Sequence, residues 1–194
     1  MDIEYFLGID NASKGALAII KSNLEIVDVL KYPENNLQLM YDFLKPYAIH
    51  GHIKAVLESP FRSMNIGMEK TFQIAGHHEM NLNILNIPFE WAEPRINMKT
   101  CWRNEFNFKC LTDKEFNKQL RQEKKLSKQL KIESIQMTDL LFDGKATKWL
   151  CEPVKNSKTG KLKKADDNCA EALLLAVYAE RMYNDNKKSQ MSPL

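Results

Sequence analysis

The sequence predicts an α/β domain built on a five-stranded mixed sheet flanked by helices. Three observations predict it. Short apolar runs near residues 5–10, 16–20, 25–30, 53–57 and 88–92 have the length of strands and are set off by turn formers. Longer stretches with apolar groups at helical spacing separate the later runs. No segment repeats, and 194 residues suffice for one core without disulfide staples, so a single domain over 1–194 is expected.

Tyr5-Phe6-Leu7-Gly8-Ile9-Asp10 reads as a buried strand that ends on an acid. Ala16 to Ile20 and Glu25 to Leu30 read as two more strands, with Lys21-Ser22-Asn23 turning between them. The three together form an antiparallel meander. Asn35 to Tyr47 is helical in pattern, with Leu37, Met40, Tyr41 and Leu44 on one side. Ile53 to Leu57 is a fourth strand, running into Glu58 before Ser59-Pro60 ends regular structure.

Residues 66–86 carry Met68, Phe72, Ala75, Leu82 and Leu85 at helical spacing, and Pro88 to Ala92 supplies a fifth strand. Thr112 with Glu115 has the form of a capping box and opens a long lysine-rich helix to about Phe142. Residues 144–164 lack periodicity, hold seven lysines and read as a flexible loop. Asp166 to Tyr183 is a final helix, apolar almost all round from Ala170 to Ala179 and therefore expected to be buried. Residues 185–194 are expected to be a flexible tail.

Composition excludes several classes. At 44% hydrophobic and 27% charged, the chain is that of a globular protein, and no apolar run approaches the ~20 residues that span a bilayer. Asp2 and Glu4 stand where a signal peptide would be basic, so a cytoplasmic location is expected. Cys101, Cys110, Cys151 and Cys169 form no CxxC pair, and His77-His78 has no third ligand nearby in sequence, which argues against zinc. Net charge is only +3, yet residues 96–164 hold 17 Lys/Arg against 8 Asp/Glu, with the acids concentrated elsewhere. A basic segment over 111–164 suits phosphate binding, and equally suits a solvated helix face with a lysine-rich loop.

The acids carry the chemistry. Asp10 and Glu58 each end a buried strand, while Asp166, Asp167 and Glu171 open the buried final helix. Asp167 and Glu171 are four residues apart and share a helical face. Carboxylates at the edge of a core need a positive partner, and an oxygen-only set favours Mg²⁺ or Mn²⁺. Each also has a structural reading: Asp10 as a turn residue, Glu58 as a strand end meeting a Lys or Arg, and Asp166 or Asp167 as a helix cap.

Leu7-Gly8-Ile9-Asp10 with Gly15, Ala55-Val56-Leu57-Glu58, Glu93-Pro94-Arg95-Ile96-Asn97-Met98-Lys99, and the run Asp166-Asp167-Asn168-Cys169-Ala170-Glu171-Ala172-Leu173 occur in this order over nearly the whole chain. Together they resemble the RuvC-type Holliday junction resolvases of phages and bacteria, which have an RNase H-like fold. Asn11-Ala12 departs from the family's usual Pro-Gly, and Glu171 stands where bacterial members have Asp.

The resemblance implies a crossover junction endodeoxyribonuclease of DNA recombination and repair, acting as a homodimer on four-way junctions. It implies a metal site of Asp10, Glu58, Asp167 and Glu171, with Asp166 in reserve. Two Mg²⁺ ions, replaceable by Mn²⁺, would serve an in-line displacement that leaves 5′-phosphate and 3′-hydroxyl ends. Lys99 is the candidate for neutralising transition-state charge, or else a surface lysine. Phe61 is implied as a wedge stacking on a junction base, or else covers the core, with Arg62 on the adjacent phosphate. Lys155, Lys158, Lys161, Lys163 and Lys164 would guide backbone phosphates without reading sequence. Met68, Phe72 and Leu82 are candidates for the dimer interface or for core packing.

Other readings are an RNase H-type enzyme cutting RNA–DNA hybrids and an inactive nucleic-acid-binding module. A sugar-kinase or actin-like ATPase also opens on Gly-Ile-Asp, but needs a second copy of the fold.

Overall fold

The computed structural model describes residues 3–12, 15–32, 36–49, 52–60, 68–93, 98–110, 112–151 and 165–191. Five strands, β1 (Tyr5–Asp10), β2 (Ala16–Lys21), β3 (Ile26–Lys31), β4 (Ile53–Glu58) and β5 (Phe89–Ala92), form one sheet in the order β3-β2-β1-β4-β5. β1, β2 and β3 pair antiparallel, whereas β1, β4 and β5 run parallel. The expected meander and mixed sheet are both present. The returns to parallel strands pass through α1 (Leu37–Ala48) and α2 (Met68–Ile84), as parallel pairing requires a crossover.

Strand alternation sorts the core into two layers. Leu7, Ile9, Ile19 and Leu57 face one side and pack with Met40 and Leu44 of α1 and Leu82 of α2. Phe6, Ala18 and Val56 face the other side, which is covered by α7 (Asp167–Met191). Ala172 to Val177 are fully buried, as the all-round apolar pattern predicts. A Cβ on Gly8 would collide with the backbone at Ala172 and Ala176, so β1 and α7 meet with no side chain between them. The Phe6 and Tyr183 rings lie 5.8 Å apart. Helix α7 therefore runs back along β1, and its acidic first turn arrives at the Asp10 end of the strand.

Five sequence-based assignments need correction. The stretch 112–142 is two helices, α4 (Lys114–Gln122) and α5 (Leu126–Leu141), separated at Lys124, whose φ is 55°. Asp113, not Thr112, caps α4 by accepting from the Phe116 N–H at 3.0 Å; the Thr112 hydroxyl instead donates to the Phe108 carbonyl. Helix α3 (Met98–Glu105) was not delimited from the sequence, although the alternative reading of Lys99 places that residue on a helix; α3 is short, and its buried residues Trp102 and Arg103 give no helical period. Within 144–164, α6 (Thr147–Leu150) anchors the chain through buried Ala146 and Leu150; residues 152–164 lie outside the described residues. Finally, α7 continues past Tyr183 to Met191, so residues 185–191 are helical where a tail was expected. No helix among the described residues is long and apolar enough to cross a membrane.

Candidate active site

The strand register brings the first two acids together. Ile9 pairs with Leu57 in the parallel β1–β4 ladder, so the next residues, Asp10 and Glu58, end adjacent strands side by side. Adjacent strands are about 4.8 Å apart. Both acids share the sheet face of Phe6, Gly8 and Val56, the face that α7 covers. They line a cleft of about 210 Å³ with Asn11, Ala12, Ser59, Pro60 and Thr71. A larger hollow of about 920 Å³, lined by Leu24, Ile26, Phe142 and Trp149, opens at the other end of the strands. Size does not mark the chemistry here.

Asn11 fastens the two strand ends. Its side-chain amide donates to the Glu58 backbone carbonyl, a bond that a proline at this position could not make. The sequence showed only a departure from Pro-Gly at this position. Asn11 is 3% exposed, and its Oδ1 is a buried acceptor with no partner among the described residues. Asp10 is 5% exposed and its Oδ1 accepts from the Ala12 N–H at 3.1 Å, so the expected turn role is real.

Behind this turn lies a buried polar pair that the sequence did not reveal. The Tyr32 hydroxyl donates to the Asp10 carbonyl at 2.7 Å and lies 3.0 Å from His78 Nε2. A Cβ on Gly15 would strike both the Asp10 carbonyl and this hydroxyl, which explains a glycine there. Burial, and secondarily the Asp10 charge, push the Tyr32 phenol far above its usual range and keep it protonated. Burial, with a smaller contribution from His77, lowers His78 to about 3. A neutral ring donates from Nε2 to Tyr32 and leaves Nδ1 bare; protonation would place an unpaired N–H in the core.

A stability prediction follows from His78. In the unfolded chain His78 titrates near its ordinary value of about 6.5. Between that value and about 3 the unfolded state binds the extra proton, so folding stability rises with pH across this window. On acidification from pH 7 to 4 the residue should account for a loss of about 3 kcal/mol. Urea denaturation of the wild type and of His78→Phe over this range should show the steeper decline in the wild type. Parallel curves would mean that His78 is protonated in the fold.

The acids of α7 take different partners. Asp166 Oδ1 accepts from the N–H groups of Asn168 (3.0 Å) and Cys169 (3.3 Å), and its other oxygen pairs with Lys31. It caps the helix. Asp167 and Glu171 both turn toward α5, as their spacing predicts: Asp167 pairs with Lys131 at 2.6 Å, and Glu171 Oε1 accepts from the Ser134 hydroxyl at 2.6 Å. Among the described residues no three His, Cys, Asp or Glu side chains already converge closely enough to hold a metal ion. The donor set still fits a hard divalent cation. It is all oxygen, it includes the buried Asn11 acceptor, and exposed pairs such as Asp167–Lys131 are worth only ~0–1 kcal/mol and yield readily.

Lys99 lies in α3, but its side chain is outside the described residues, as are Phe61, Arg62, Lys155, Lys158, Lys161, Lys163 and Lys164. Cys110, Cys151 and Cys169 form no disulfide among the described residues. Of the three interface candidates, Leu82 is fully buried within the subunit, Phe72 is 46% exposed, and the Met68 side chain is outside the described residues.

No protein-family model matches the sequence, and no curated protein matches it. Among solved structures, Thermus thermophilus RuvC in complex with a Holliday junction substrate matches with a TM-score of 0.51 at 11% identity, over 95% of this chain and 96% of that one. The Thermus thermophilus RuvC structure matches at 0.48 and 13% identity, with the same coverage. The likeness to the junction complex shows the fold: an RNase H-like, RuvC-like five-stranded mixed sheet flanked by helices.

Proposed function

We propose that the chain is a divalent-metal-dependent endonuclease that cuts four-way DNA junctions, with Asp10, Glu58, Asp167 and Glu171 holding the cations. One observation carries this reading. Two carboxylates end adjacent parallel strands on a single sheet face, and α7 delivers two more to the same end. Asp166 is assigned to capping α7, since its oxygens are taken by backbone N–H groups and Lys31. Mg²⁺, or Mn²⁺ in its place, would supply two-metal chemistry: activation of the attacking water and stabilisation of the leaving 3′ oxygen. The protein's part is positional. Asn11 fixes the spacing of the two strand ends, Tyr32 fixes the turn after Asp10, and α5 orients the α7 acids. Lys99 is proposed to face the transition-state charge, Phe61 and Arg62 to engage the junction centre, and the lysines of 155–164 to contact backbone phosphates.

A substrate panel tests the reading: a four-way junction, linear duplex, single strand and RNA–DNA hybrid, each with Mg²⁺ or Mn²⁺. The four-way junction should be cut first, leaving 5′-phosphates. Preferential cutting of the hybrid would favour an RNase H-type activity, and no cutting of any would point to a binding module.

Two symmetric cuts call for two symmetric sites, so a homodimer is part of the proposal. Helix α2 supports it with Phe72, Met80 and Ile84, which are 46%, 46% and 57% exposed, at four-residue multiples about Gly76. A Cβ at Gly76 would meet nothing within 4 Å among the described residues, which leaves the stripe open to a partner. Sedimentation at micromolar concentration should give twice the 22.5 kDa chain mass, and Phe72→Glu with Met80→Glu should give the monomer. A wild-type monomer, free and DNA-bound, would refute it.

A further inference from the structure

The Glu171 carboxylate rests on a buried polar cluster that core packing alone does not call for. Ser134, in the middle of α5, is fully buried, and its hydroxyl lies 2.6 Å from Glu171 Oε1. On its other side the Ser134 hydroxyl oxygen accepts from the Arg103 guanidinium at 3.3 Å. Arg103, on α3, is itself only 1% exposed. Its Nε donates to Glu133 at 3.0 Å, and its NH2 group also reaches the Leu130 carbonyl at 3.2 Å. Glu133 is 2% exposed and accepts from the Cys110 N–H at 3.3 Å.

A buried ion pair is a poor way to gain stability, because desolvation offsets the attraction, and apolar residues of similar volume often do as well. A serine inside a helix can also bond back to its own turn, and the Leu130 carbonyl is within reach at 3.1 Å. Its one proton can serve only one acceptor at a time. The carboxylate oxygen at 2.6 Å lies closer than the Leu130 carbonyl at 3.1 Å and is the favoured acceptor, and the guanidinium behind the hydroxyl strengthens that donation further. The chain Arg103–Ser134–Glu171 therefore fixes one carboxylate oxygen on a rigid, fully buried support.

We propose that Ser134 is a positioning residue for cation binding: backed by the Arg103–Glu133 pair, its hydroxyl holds the Glu171 carboxylate in the orientation that receives a divalent ion. This rests on the reading of Glu171 as a cation ligand. Hydrogen-bond partners that orient a metal-binding side chain typically change metal affinity or activity by ~10–100-fold.

The test measures Mn²⁺ binding to the full chain by calorimetry for wild type, Ser134→Ala and Glu171→Gln, with the Mg²⁺ dependence of junction cleavage alongside. Ser134→Ala removes one atom and, by taking the buried donor from Glu171, should melt several degrees below the wild type while remaining folded at the assay temperature. Its Mn²⁺ affinity should fall by ~10-fold, and its cleavage should need correspondingly more Mg²⁺ while approaching the wild-type rate at saturation. Wild-type affinity in Ser134→Ala with weakened binding in Glu171→Gln would overturn the positioning role and leave the metal site standing. Wild-type affinity in both would remove Glu171 from the site and the proposal with it.

Discussion

Asp10→Asn, Glu58→Gln and Glu171→Gln should each reduce junction cleavage by on the order of 10³-fold or more, with junction binding and melting temperature close to wild type. An amide keeps the shape of the carboxyl group but removes the charge that holds a cation. Loss of a single preorganised electrostatic donor already costs ~10²–10³ in rate, and loss of a bound ion should exceed that. Binding should persist because phosphate contacts dominate affinity. Asp166→Asn is the matched control. Asparagine caps helices as well as aspartate does, so this variant should cut at nearly the wild-type rate. Nicking assays and gel shifts run side by side read both quantities. Full cleavage by any of the first three would remove that residue from the site.

Gly8→Ala should be among the most destabilising single substitutions in the chain. The added Cβ would occupy the space of the Ala172 carbonyl and the Ala176 amide, and no rotamer change relieves a clash between two backbones. Either α7 lifts from the sheet or β1 bends. Overpacking of this kind costs about 3 kcal/mol or more, or a drop in melting temperature of roughly 6–12 °C for a chain of this size. Glu171 directly precedes Ala172, so any shift of α7 also displaces a proposed ligand, and cleavage should fall at temperatures where the variant remains folded. Melting within about 2 °C of wild type would show that the helix is not held against the strand.

Much of the fold was legible because it is written in short-range patterns. The five apolar runs became five strands within a residue or two, and the all-round apolar segment from Ala170 to Ala179 became the buried helix. Asp10 and Glu58 stood out because an acid ending a buried strand is locally anomalous. What stayed hidden depends on long-range contact. Arg103, Glu133 and Ser134 carry no local signal in the sequence and become a cluster only when α3, α5 and α7 close around them. Tyr32 and His78 are 46 residues apart in sequence and gave no motif. Asn11 was visible only as a departure from a familiar turn, and its amide bond to the Glu58 carbonyl required both strand ends in place. The proposed preference for Asp167 over Asp166 rests on a cap and on Lys31, which lies on a strand remote in sequence.

The most direct measurement of the central claim is the anomalous scattering of Mn²⁺ in crystals of the protein. The account predicts density at the shared end of β1 and β4, within coordinating reach of Asp10 and Glu58, with Glu171 or Asp167 of α7 drawn into the same shell. Mn²⁺ bound elsewhere, with none between the two strand ends at millimolar concentration, would contradict it.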